Sequence, residues 1–531
     1  MASASILNTC TKSHWETIGI KHHFGIALPL FSLRTSESAA IGEYLDLIPL
    51  IPWCKSIGFD VIQLLPLNDT GNETSPYSAI SAFALNPIHL SLSKLPKAID
   101  DPSLYSQLIA MQSKNNTTRV DYKFVQVAKE LFLREYYQKY GNEIASGSNY
   151  QLFINDNRSW LRSFALFKAL TTFYSSQNIA KWSSEHQNPS HTFLTSEHKE
   201  FEREMDYHIC IQYLCFMQLS QVKNEATMQG MLLKGDIPIL INRNSADVWA
   251  HPSLFLKEYS AGAPPDQYAL NGQNWDTPPY NWENHEHTQF AWWKERLDIA
   301  SKFYHLYRID HIVGFFRIWA IQQSHKAKDG HFIPSDESTW IEKGTNILQI
   351  LIKHSGMLPI GEDLGTVPQE VRETLRSLGV CGTKVCRWER RWQGDLGFID
   401  PKDYIKESMT TVSTHDSESL FIWWKNHPDS AKLYADTFKL AYDEALSLEN
   451  RLLILRASHT SGSLFHINPL QEYLALLEPM RWDNPLEERI NIPGTVSPFN
   501  WSYKFRPSLE EIIESKELKS QLYQIMHFQF E

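Results

Sequence analysis

Eight short apolar or β-branched runs punctuate this chain, and helical patterns separate them; no other feature limits the possible fold as much. The runs begin at Phe24, Phe59, Met231, Tyr304, Met357, Gly382, Thr410 and Leu464. Strands that alternate with helices, and not with tight hairpin turns, pair in parallel and need crossover connections. Eight such units close into a barrel. The first seventy residues already show the repeat: FGIALPL, a helical pattern over 36–57 interrupted by Pro49 and Pro52, then FDVIQLLPL. Later, Thr366 and Gln369 are spaced as a capping box, Pro368 lies in the first turn, and Gly379 stops the helix. The expected fold class is α/β, a (β/α)8 TIM barrel spanning residues 1–531 as a single unit.

Two segments interrupt the alternation. Residues 68–230, after the second strand, hold long helical patterns at 122–140, 160–174 and 197–223, and read as a mostly helical insertion. Residues 242–289, after the third strand, are dense in Gly, Pro and Asn and read as a loop insertion. A loop that long is usually functional or disordered. Its aromatics, Tyr268, Trp275, Tyr280 and Trp282, favour function.

Three strand-like runs end in acids: LYRIDHIVG in Asp310, MLPIGEDLG in Glu362 and Asp363, TTVSTHDS in Asp416. At the strand period of two, Leu306, Arg308 and Asp310 share a face. Alone, Arg308 and Asp310 read as a structural ion pair. A parallel barrel, however, aims all its strand ends at one mouth, so acids far apart in sequence meet there. Glycoside cleavage uses such a cluster: one carboxylate attacks or stabilises an oxocarbenium-like centre, and one carboxylic acid protonates the leaving oxygen.

Composition removes several alternatives. Asp and Glu outnumber Lys and Arg by 61 to 50, a net charge of −11, which gives no footprint for nucleic acid or an anionic membrane. No run reaches membrane-spanning length, and the start lacks a basic segment followed by an apolar one, so a cytoplasmic location is expected. Six dispersed cysteines suggest neither a zinc ribbon nor a disulfide framework. His285-Glu286-His287 is the best metal-like pattern, but it follows a Pro/Asn loop, and no metal or other cofactor is expected.

The stretches SPYSAISAFALNP, WLRSFALFKAL, GDIPILINRNSADVWAHPSLF, AGAPPDQYALNGQNWDTPPYNW, YRIDHIVGF, GEDLG, STHD and RINIPGTV, in that order, resemble the 4-α-glucanotransferases of the amylomaltase or disproportionating-enzyme family, relatives of the α-amylase barrels. The resemblance covers most of the chain. It implies a (β/α)8 barrel with large, mostly helical insertions and no C-terminal β-domain, acting on maltooligosaccharides and other α-1,4-glucans with glucose as acceptor or product. It also implies roles. Asp310 looks like the nucleophile, kept ionised and oriented by Arg308; Glu362 like the general acid/base; Asp416 like the third carboxylate. His415, Asp236 and Asn491 look like sugar-hydroxyl ligands, and Tyr77 and Trp275 like sugar platforms. Asp363 points to the other strand face and reads as structural. Two departures stand near expected subsites: Asp276 where glycine is expected after GQNW, and RWERRW at 387–392 in place of a more apolar stretch. The leading reading is a retaining α-1,4-glucan transferase. Its rivals are a hydrolase with the same carboxylates, a metal-dependent barrel hydrolase and a non-catalytic glucan-binding protein.

Overall fold

The computed structural model describes residues 6–265, 270–392 and 394–526; Tyr268 lies outside them. Eight parallel strands make the central sheet: β1 (His23–Leu28), β2 (Val61–Leu64), β3 (Leu232–Ile237), β4 (Leu306–Ile309), β5 (Leu358–Gly361), β6 (Gly382–Val385), β7 (Ser408–Thr411) and β8 (Phe465–Pro469). Their spatial order is β6-β7-β8-β1-β2-β3-β4-β5. A parallel bridge from Ile360 to Cys381 joins β5 to β6, with the Gly361 N–H donating to Cys381 O at 2.8 Å, and this closes the barrel. The expected fold class is the one observed.

Alternation along the strands fills the lumen in layers. The lower layers are apolar: Val61, Leu306, Leu358, Ile360, Met409, Phe465 and Ile467 form one buried cluster. Trp15, from the helix Lys12–Ile18, plugs the floor against Phe465 and donates its Nε1–H to Gly379 O at 3.2 Å. Removing each large aliphatic side chain of such a layer from water contributes about 1.5–3 kcal/mol. Two residues further along, Leu306 gives way to Arg308 on β4, whereas β3 is already charged level with Leu306, with Lys234 there and Asp236 beside Arg308. Lys234 is fully buried, donates to Gln63 Oε1 at 2.8 Å, and is brought down to about 7 by burial. The polar layer lies at the carboxyl ends, where the site forms.

Helices Tyr122–Ala145, Leu161–Phe173 and Glu202–Met228 build the segment between β2 and β3. A buried ion pair, Lys129 Nζ to Glu43 Oε1 at 2.5 Å, ties the first of them to the loop after β1. Between β3 and β4 the structure differs from the loop expected there. Tyr259–Ala263 pairs with Gln273–Asn274 and, across the chain, with Ile318–Gln322, which pairs in turn with His331–Ile333. The resulting antiparallel sheet of four strands escaped the sequence pattern because YSAGA is small and unalternating and its main partner lies beyond β4. The helix Gln369–Leu378 corrects another expectation. Pro368 is its N-cap and no side chain caps it; Gln369 Nε2 donates to Glu373 instead, while Gly379 ends the helix in the left-handed conformation as expected. Past β8, the described residues add helices and no further strand.

Candidate active site

Arg308 is the hub of the mouth. It leaves β4 inside the lumen, 8 % exposed, and its Nη1 donates to both oxygens of Asp236 on β3 at 2.9 Å. The same nitrogen lies 2.9 Å from Asp310 Oδ1, and Nη2 lies 3.8 Å from Glu362 Oε2. One guanidinium thus faces three carboxylates from three strands. A planar cation with several donors can do this where a lysine ammonium would not.

Backbone geometry aims Glu362. Its Oε1 accepts the Leu364 N–H at 2.8 Å and its Oε2 accepts the His311 N–H at 2.9 Å. His311 sits in the left-handed region, with φ 46°, directly after Asp310. A non-glycine residue there costs about 1–3 kcal/mol and persists where its surroundings fix it. Here it turns its own N–H toward the acid. Asp363 behaves differently: it is buried, accepts the Thr383 N–H at 2.7 Å, and ties β5 to β6.

The opposite side of the mouth is reached through Tyr77. Its hydroxyl donates to Asp236 Oδ2 at 2.8 Å, so its oxygen must accept from His415 Nε2 at 3.0 Å, since a phenol has one proton to give. His415 Nε2 is also 3.2 Å from Asp416 Oδ2, and Asp416 Oδ1 accepts the Asn491 Nδ2–H at 2.7 Å. An unbroken polar circuit therefore runs from Asn491 through Asp416, His415, Tyr77 and Asp236 to Arg308, Asp310 and Glu362. Trp275 joins from the small sheet side, its ring edge-on to His311 at 5.0 Å. The structure brings all nine singled-out residues into one neighbourhood.

Burial pushes the Asp310 carboxyl up to about 6; Arg308 opposes this, and Asp236 and Glu362 add to it. Burial also raises Glu362, against Arg308 and the two backbone N–H donors. With one proton between the two carboxyls, the shorter contact to Arg308 favours the charge on Asp310. Asp416 goes the other way: burial would raise it, but His415 and Asn491 hold it down to about 2, while Asp416 in turn raises the His415 imidazole against burial.

Sequence reasoning gave no role to Trp501, whose ring lies 5.5 Å from Tyr77 and 5.8 Å from His415. Nor did it mark Arg489, which donates to Asn491 O at 2.8 Å. The RINIPGT stretch held the signal for Arg489; NWSY held none for Trp501. Asp276 has φ 54°, which accounts for the expected glycine, and its carboxylate lies 3.4 Å from Arg243. The metal-like pair falls apart: His285 is enclosed among Phe255, Tyr280, Trp282 and Trp292, while His287, two residues on in a helix, is exposed. Arg387 of the second departure is buried and donates to Glu418 O.

A family model described as 4-alpha-glucanotransferase matches residues 28–510. The 4-alpha-glucanotransferase of Chlamydia pneumoniae is 46 % identical over 514 residues, covering 96 % of this chain and 97 % of that protein. That of Chlamydia caviae is 44 % identical over 510 residues, covering 96 % and 95 %. Among solved structures, the amylomaltase from Streptococcus agalactiae in complex with acarbose superposes with a TM-score of 0.80 at 22 % identity, covering 96 % of this chain and 99 % of that one. That last likeness is one of fold.

Proposed function

The chain belongs to the 4-alpha-glucanotransferase family, and from that premise we propose that Asp310, Glu362 and Asp416 carry its transfer reaction in two displacements. The protein is a 4-alpha-glucanotransferase: it moves a segment of a 1,4-α-glucan to a new 4-position on an acceptor. In the first displacement an Asp310 oxygen bonds to C1 of the donor sugar as the glycosidic bond breaks, and Glu362 gives its proton to the departing O4. In the second, Glu362 takes the proton of the acceptor 4-hydroxyl, that oxygen bonds to C1, and the Asp310 ester is released. Asp416 and His415 bind sugar hydroxyls and favour the positive charge that grows on the ring. Asp236 and Asn491 complete the hydroxyl contacts.

The observation that carries this reading is the guanidinium shared by Asp310, Glu362 and Asp236. A retaining pair works at short range, about 5–5.5 Å, and two carboxyls facing one cation are held close together. Arg308 also biases the pair toward a charged nucleophile and a protonated acid, the form the first displacement needs.

Transfer beats hydrolysis when a sugar occupies the acceptor side before water does. Trp275, Tyr77 and the small antiparallel sheet suit that purpose, offering aromatic faces to glucose rings. We take maltooligosaccharides as donors and glucose or a shorter chain as acceptor. All six cysteines are free thiols, which suits a reducing, cytoplasmic setting. The test uses maltotriose as the only substrate. Glucose and a ladder of longer maltooligosaccharides are expected, with total reducing ends constant. Reducing ends that rise with every bond broken, without products longer than the substrate, would establish the hydrolase reading.

A further inference from the structure

The loop that carries His415 and Asp416 is held at both ends by one carboxylate oxygen, and we propose that its owner, Glu472, is a positioning residue for the transfer reaction. The proposal rests on the role given above to Asp416. The loop spans 412–419, between β7 and the helix Leu420–Asn426. Glu472 comes from elsewhere, the short helix Leu470–Leu474 that follows β8 directly, and is fully buried. Its Oε1 accepts the Ser413 hydroxyl at 2.6 Å and the Leu420 N–H at 2.9 Å. Ser413 precedes Asp416 by three residues and Leu420 follows it by four. A single atom therefore fixes where the loop leaves the strand and where it enters the helix.

A second contact from β8 supports the first. Asn468 Oδ1 accepts the Val412 N–H at 2.9 Å, and its Nδ2 donates to Tyr473 Oη at 2.9 Å. The loop is thus referenced to the barrel strand next to it. Within it, the Thr414 N–H donates to Ser417 Oγ at 2.8 Å, which bends the chain around His415 and Asp416. Bonds to an ionised acceptor are stronger than neutral ones, so a carboxylate at both ends stiffens the loop more than an amide would. Stiffness matters because a misplacement of about 1 Å at a reacting centre costs about a hundredfold in rate.

A purely structural reading competes. Glu472 also offsets two buried guanidiniums, Arg387 and Arg451: burial lowers both, and Glu472 is the first charge opposing it in each. Removing its charge therefore perturbs folding as well as the loop. Ser413→Ala separates the two effects, because it deletes one anchor and leaves every charge in place.

The experiment compares Ser413→Ala, Glu472→Gln, the double variant and Asp416→Asn in the full chain, with maltotriose as substrate and thermal unfolding alongside. Each single clamp variant is expected to lose about 10- to 100-fold in kcat while KM stays within about twofold, since Asp416 acts more strongly in the transition state than on bound substrate. The double variant is expected to fall no further than the worse single, as for two groups acting through one contact. If Glu472→Gln does not fold, Ser413→Ala decides alone by the same criterion. A folded Ser413→Ala with kcat within about twofold of wild type, beside an inactive Asp416→Asn, overturns the clamp and spares the role of Asp416. Near-normal turnover by Asp416→Asn would remove that role and the proposal with it. Losses that multiply in the double variant would leave Glu472 a charge partner only.

Discussion

Replacing Arg308 by methionine keeps a long side chain in the lumen and removes the cation. In the intact site its nitrogens lie 2.9 Å from Asp310 and 3.8 Å from Glu362. At an effective dielectric of about 20, such separations correspond to about 4–6 kcal/mol each. Asp310 keeps 25 % of its side chain accessible, and solvent screening there takes back about half of that attraction. Some 2–3 kcal/mol, at about 1.4 kcal/mol per pKa unit, is about two units. Asp310, pushed up to about 6 with the cation present, therefore moves to about 8 without it. The sign follows from the chemistry: the nucleophile works as the carboxylate, so kcat/KM is lost as pH falls through its pKa. At pH 7 the wild type keeps most of its ionised nucleophile and the variant about a tenth. The loss should recede as pH rises toward about 9. The assay is glucose release from maltotriose across that range, with circular dichroism to confirm folding. An acid limb that stays where it is in the wild type, whatever the size of the loss, would refute this reasoning and leave Arg308 a binding residue.

The adjacent acids should separate cleanly. Glu362→Gln is expected to lose about 10²–10⁴-fold in kcat on maltotriose, whereas Asp363→Asn, which still offers an acceptor to the Thr383 N–H, should stay within a few-fold in activity; equal losses would mean that the two roles were misassigned. Trp275→Ala should raise the KM for acceptor about tenfold and increase the hydrolysed share of product, read as reducing ends released per bond cleaved; an unchanged share would put the platform elsewhere. Glu43→Ala leaves the Lys129 ammonium buried without its 2.5 Å partner, and denaturant unfolding should show a loss of about 3–5 kcal/mol. A loss under about 1 kcal/mol would show that the pair is readily replaced by solvent.

The barrel and its acids were legible because they obey short-range rules. Strand alternation put Arg308 over Leu306 and Asp236 over Lys234, and Asp310, Glu362 and Asp416 each came where a strand-like run stopped. The rest of the site depends on contacts that no local pattern encodes. Tyr77 meets His415 and Trp501 across more than three hundred residues of chain. Glu362 is aimed by backbone N–H groups, one of them on His311 in a left-handed conformation that sequence spacing does not reveal. The small sheet escaped because its strands are short and their partner lies past β4. Thr366 had the right spacing for a cap, but Pro368 favours an extended backbone before it and moved the helix start.

The covalent step on Asp310 is the centre of the proposed mechanism, and intact-protein mass spectrometry tests it most directly. Glu362→Gln, given an α-maltosyl fluoride, should still be glycosylated, because fluoride departs without a proton, and should turn over slowly because the second displacement lacks its base. The protein mass should rise by one maltosyl unit, and peptide mapping should place the ester on Asp310. A label on Asp416 or Asp236 with Asp310 unmodified, or steady turnover of the fluoride by Asp310→Asn, would contradict the assignment.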